Sequence, residues 1–177
     1  MTPFSKTDSG TIVAGFSAVE ADIIGDLAAQ IAGMLVDLAG SRDVDPLFDS
    51  VGIGGSSQPD DDPAIARLLP DAYGGDAEAS RDFRQLTERG LARRKVTNAG
   101  IVIASLERGA GDVELDEQQA QAWLRTLADI RLTIAARLGI ETDGDEGATE
   151  GDAATSLHDL YDWLAYVTES LIDALES

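Results

Sequence analysis

With 177 residues and 44% hydrophobic content the chain is sized for one domain with one sizeable core, and its lack of cysteine excludes disulfides, thiolate metal sites and thiol redox switching within it. A single histidine, His158, leaves no histidine cluster for a metal and makes a catalytic triad improbable, while 33 acidic against 13 basic residues, net −20, oppose general binding to phosphate backbones. No apolar run approaches the ~20 residues of a membrane span and no charged segment leads into an apolar one at the amino terminus, so the expected setting is the cytoplasm.

Residues 1–10 are small and polar and read as a frayed tail before a single domain over 11–177. Thr11 to Phe16 clusters β-branched residues and reads as a short strand. Ser17 and Glu20 form an S-x-x-E capping box, and a helix over 18–39 follows, with Ile23, Ile24, Leu27, Ile31, Met34, Leu35 and Leu38 on one face. The period is lost from Ser41 to Asp62, whose glycines, serines and three consecutive aspartates read as a mobile acidic loop. Pro63 fits the first turn of a short helix that Pro70 ends. Asp76 is placed to cap the next helix, with a stripe of Ala79, Phe83, Leu86, Thr97, Ile101 and Ala104; Gly90 and Gly100 inside it imply a bend or a close helix contact.

Val113 to Leu115 reads as a second strand that pairs with 11–16. Asp116 and Gln119 make another capping box, and Ala120, Trp123, Leu124, Leu127, Ile130, Ile134 and Leu138 form the clearest stripe of the chain before Gly139. A second acidic loop over 140–152 leads to a last helix beginning near Thr155 or Ser156, with Leu157, Leu160, Tyr161, Leu164, Val167, Leu171 and Leu175 facing one way. The fold class implied is mainly α: a bundle of about four long helices plus a short one, with a small two-stranded β ribbon.

Charge is segregated along this framework. Residues 41–62 carry six aspartates against Arg42, and 140–152 carry six acids and no base. Between them, Arg81, Arg84, Arg89, Arg93, Arg94, Lys95 and Arg108 outnumber Asp82, Glu88 and Glu107, making one helix a basic island. Arg81, Arg84, Arg89, Arg93 and Lys95 are therefore a candidate partner surface, set against the simpler reading that they neutralise neighbouring acidic faces. Glu20, Arg94 and Arg131 fall within apolar stripes, and a charge on a core face needs a partner. Two readings stay open for them: a buried network pairing Glu20 with Arg94 or Arg131, or a cleft in which an arginine fork holds a carboxylate or phosphate. No phosphate loop, nucleophile elbow, zinc-protease motif or G-x-G-x-x-G occurs, the GIGG at 52–55 lacks a dinucleotide site's context, and neither acidic loop fits an EF-hand. No catalytic residue, metal or cofactor is implied, and His158 off the apolar stripe needs no function.

Three stretches, DPAIARLLPDAYGGDAEASRDFRQLTERGLARRK, VELDEQQAQAWLRTLADIRLTIAARLGI and LYDWLAYVTESL, together spanning most of 63–175, resemble an uncharacterised actinobacterial domain family, some of whose members are actinomycete oxidative stress (transcriptional) regulators. The resemblance implies a helical domain in a cytoplasmic regulator working through the transcription machinery, with RNA polymerase or a sigma factor as partner, and marks Phe83, Arg84, Lys95, Trp123, Asp129 and Arg131 as family positions. A thiol-based sensing role does not carry over to a chain without cysteine. The expected function is that of a non-enzymatic regulator acting through protein contacts. The alternatives are a small-molecule-binding helical domain with an Arg/Glu cleft and direct DNA binding by the 81–95 helix, the latter disfavoured by net charge. Val19, Val36 and Leu132, beside their main stripes, also leave room for a homodimer.

Overall fold

The computed structural model describes residues 1–39, 62–69, 79–109, 112–142 and 144–177, so the acidic segment before Asp62 and the expected cap Asp76 lie outside the described residues. Its elements are β1 (Thr2–Lys6), β2 (Ile12–Gly15), α1 (Ala18–Ala39), α2 (Pro63–Leu68), α3 (Ala79–Gly109), β3 (Asp112–Leu115), α4 (Glu117–Leu138) and α5 (Asp152–Glu176). The fold is mainly α, and the strands form one antiparallel sheet in the order β1-β2-β3, with Val13 opposite both Ser5 and Glu114.

The first residues are a strand and not a frayed tail. Thr7 and Gly10 close a turn in which the Thr7 amide donates to the Thr11 carbonyl at 2.9 Å and Gly10 takes a left-handed φ of 85°. This folds Thr2–Lys6 back onto β2 and buries Phe4 between exposed neighbours. Pro3 is compatible with this position because β1 lies at the sheet edge, where a missing donor is tolerated. The ribbon expected from two strands is thereby a three-stranded sheet.

Helix starts follow the side-chain chemistry closely. At α1 the Ser17 amide donates to Glu20 Oε2 at 2.8 Å and the Glu20 amide to Ser17 Oγ at 3.3 Å. Asp62 caps α2 through the Ala64 amide at 2.9 Å, and Asp116 and Gln119 form the reciprocal box of α4, which Gly139 ends at φ 73°. The helix α5 starts earlier than its sequence pattern suggests, at Asp152 behind Gly151, without a side-chain cap.

The buried face of α3 differs from the expected stripe. Ala92, Ala99, Val102 and Leu106 are buried, whereas Thr97 is exposed and Ile101 and Ala104 are half-buried; the side chains of 79–87 lie outside the described ones. Small alanines on this face let α3 lie along α1, its most extensive helix partner, against Ile24, Ala28, Ile31 and Leu35. Neither Gly90 nor Gly100 has a neighbour where a Cβ would stand, and both face solvent, so no close contact requires them.

Sheet and helices meet at Trp123, which is fully buried. Its ring stacks on Phe16 at 5.7 Å and 12° and takes Phe4 edge-on at 5.6 Å, while Phe4 and Phe16 meet edge-on at 5.9 Å. The indole N–H donates to Ser105 Oγ of α3 at 2.8 Å, and that hydroxyl donates to the Val102 carbonyl at 2.7 Å. Trp123→Ala is expected to lose about 3–5 kcal/mol. Ser105→Ala, which leaves the indole N–H without its acceptor, is expected to lose about 1–3 kcal/mol. Urea unfolding of both variants checks the ranking.

Candidate functional site

The helix α4 carries two ionic residues with different fates. Asp129 stands beside Ile130 on the buried side and meets Lys95 of α3, forming an ion pair whose side chains are 7% and 15% exposed. Lys95 reaches it from the turn between the buried Ala92 and Ala99, so the pair sits where α3 and α4 pack. Burial raises the Asp129 carboxyl above the ordinary carboxylate range and outweighs the opposing hydrogen bond and charge of Lys95. Arg131, two residues on and therefore about 200° around the helix, cannot share that face.

The residues singled out from sequence fall into separate places. Glu20 is not paired with Arg94 or Arg131. Its Oε1 accepts from the Met1 amine at 3.0 Å and its Oε2 from Ser17, contacts that hold its carboxyl below the usual range, with the Ser17 amide the main cause. Arg94 is exposed on α3, because the buried face of that helix runs through Ala92 and Lys95. The side chains of Arg81 and Arg84 lie outside the described ones, and Arg89 is half-buried and partnered. Arg93 is exposed and its Nη2 lies 3.5 Å from the Ala39 carbonyl at the end of α1, where a cation complements the helix terminus. Lys95, expected on a partner surface, is instead bound to Asp129. Val19 and Val36 are 67% and 51% exposed.

Arg131 lines a groove of about 360 Å³ with Leu132 and Ala135 of α4, Arg67 of α2, Tyr161 of α5 and the segment following α4. Its guanidinium carbon lies 4.6 Å from the centre of the Tyr161 ring, a cation–π contact. Its Nε is buried without a hydrogen-bond partner, the one such side-chain atom among the described residues. Arg67 Nη2 donates to the Ile140 carbonyl, and Arg137 bonds Asp62 at 2.8 Å, so α2 is tied to the end of α4 from both sides. The following segment turns back on itself: Asp145 accepts from the Glu141 and Gly147 amides at 3.1 Å each, the Ala148 amide donates to the Leu138 carbonyl at 2.7 Å, and His158 Nε2 hydrogen-bonds the Ala148 carbonyl at 3.0 Å. Sequence reasoning missed Arg67 and Tyr161 as companions of Arg131 because they come from two other helices, and nothing in the local pattern links them.

A family model described as a domain of unknown function, DUF2017, matches residues 1–175. The chain belongs to this family. Among curated proteins it is similar to the putative oxidative stress regulator AosR of Mycobacterium leprae, 29% identical over 170 residues that cover 88% of this chain and 78% of that protein. It is likewise 29% identical over 167 residues to the oxidative stress regulator AosR of Mycobacterium tuberculosis H37Rv, covering 86% of this chain and 77% of the relative. No solved structure matches. Among the described residues no helix is long and apolar enough to cross a membrane.

The Lys95–Asp129 pair gives two expected outcomes. Lys95→Met alone, leaving a buried carboxylate unpaired, costs about 3–5 kcal/mol, whereas Lys95→Met with Asp129→Leu restores stability to parental or above; a double-mutant cycle by chemical unfolding reads this. The pH dependence also separates Asp129 from the other shifted acids. Its folded value is raised, so its contribution grows as pH falls towards the ordinary 3.8, whereas Glu20 and Asp62, whose values are lowered, lose theirs as pH falls below the ordinary 4.5 and 3.8. Asp129→Asn removes the opposing contribution, so its urea midpoint falls more steeply than the parent's as pH falls towards the ordinary carboxylate value of 3.8.

Proposed function

We propose that this chain is a non-enzymatic cytoplasmic regulator that acts by contacting a protein of the transcription machinery, RNA polymerase or a sigma factor. The observation that carries the reading is the exposure of Arg93 and Arg94 side by side on α3 in a chain of net charge −20. A local cationic face in a strongly acidic molecule presents a surface to an acidic partner while the rest of the field repels nonspecific association. The names of the mycobacterial relatives, oxidative stress regulators, support a regulatory role. Among the described residues the buried Asp129 is satisfied by Lys95, which favours a scaffold for contacts over a reacting centre. With no cysteine in the chain, any response to oxidants reaches it through its partner or through a route other than its own thiols.

Binding of the purified chain to actinobacterial RNA polymerase core and to isolated sigma factors, measured at low and moderate salt, tests this. Parental binding is expected to weaken with salt, and Arg93→Glu with Arg94→Glu to weaken it by about tenfold or more. Equal affinity of parent and variant removes α3 as the contact surface, and absence of binding to every component removes the reading itself.

A further inference from the structure

We propose that the groove between α2, α4 and α5 is a binding site for a small monocarboxylate with an apolar body, held by the Arg131 guanidinium. The proposal does not depend on the protein-contact reading. Its first support is an unmet demand. Arg131 is partly buried, stacked on Tyr161, and its Nε is shielded from solvent with no acceptor, although the chain offers 33 acidic residues. None of the described carboxylates forms an ion pair with it, and a desolvated guanidinium donor without an acceptor is costly. A ligand carboxylate supplies two acceptor oxygens in the geometry of a guanidinium edge, and the contact with Tyr161 holds the guanidinium over that ring in the groove lining.

The second support is the composition of the walls. Among the described lining residues Arg67 and Arg131 oppose Glu141, leaving one net positive charge, which matches a monoanion better than a phosphate dianion. The remaining lining is largely apolar, with Leu132, Ala135 and Ile140, and accepts an aliphatic or aromatic body. A volume of about 360 Å³ is at the small end of ligand pockets, suited to an aryl or short-chain acid and too small for a folded segment. Leu132, 38% exposed, keeps apolar surface at the groove for such a body to cover.

The test uses the full chain, isotopically labelled, titrated with phenylacetate and with hexanoate up to about 10 mM, beside phenylacetamide and inorganic phosphate. Either acid is expected to shift the Arg131 Nε–Hε and Leu132 methyl resonances saturably and to raise the thermal midpoint by mass action, with phenylacetamide and phosphate at least about tenfold weaker. Arg131→Gln is expected to weaken acid binding by about tenfold or more while resonances remote from the groove keep their positions. Should that variant not fold, Leu132→Glu, at an already exposed position, is expected to abolish the acid-induced shifts by placing a like charge in the groove. The assignment is overturned if neither acid produces saturable shifts, if the amide or phosphate binds as well as the acids, or if a folded variant at either position binds like the parent.

Discussion

The three-ring contact of Trp123 with Phe4 and Phe16 is the constraint on which the rest of the molecule is built. A short sheet has one face to bury, and four long helices have stripes to bury, but nothing in either pattern says how the two should meet. The indole does so with one side chain from α4, stacking on a residue that follows β2, touching one within β1, and reaching α3 through Ser105. Because the ring is fully buried and its one polar atom is satisfied, the rotation of α4 about its axis is determined.

Once that rotation is set, the fates of Asp129 and Arg131 follow. Asp129 lies on a later turn of the side that faces α3, and finds Lys95 there. Arg131 turns towards α2 and α5, where Tyr161 provides a π face and no described acid forms an ion pair with it. One helix thus carries a satisfied ionic contact on one side and an unsatisfied cation on another. The first belongs to the architecture of the bundle, and the second is where chemistry is still owed.

Much of the architecture was legible in the sequence because it is written in local terms. Capping boxes at Ser17 and Asp116, the terminating Gly139, and the spacing of large apolar residues in α4 depend only on residues within a few turns of each other. What escaped was nonlocal or small. The buried face of α3 is made with Ala92 and Ala99, which carry too little apolar weight to stand out against Thr97 and Ile101. The first strand was hidden because polar residues surround its single buried side chain, Phe4, and only pairing with β2 gives them a conformation. The three charged residues on the stripes have three different fates, because helix rotation decides which of them meets a partner: Arg94 turns outward, Arg131 lies over Tyr161, and only Glu20 is ion-paired. Glu20 therefore found the Met1 amine and Ser17 beside it, and not an arginine across the bundle.

The first strand also has a consequence for how the chain acquires its structure. Along one flank β1 pairs with β2, and it also packs on α5, where the Phe4 amide donates to Ser170 Oγ across 166 positions of sequence. A chain being synthesised therefore presents β1 and β2 long before the helix that flanks them, and a lone two-stranded hairpin is only marginally stable in water. The Phe4 ring can meet Phe16 and Trp123 earlier, but its amide and the outer side of β1 lack their partner until the helix carrying Ser170 emerges. Closing so long a loop is slow but adds little further cost per residue, so completion of the fold is a late event gated by synthesis of the last helix. The two ends of the sequence then share one wall, and the domain is closed like a belt, whose buckle is the last part to be fastened.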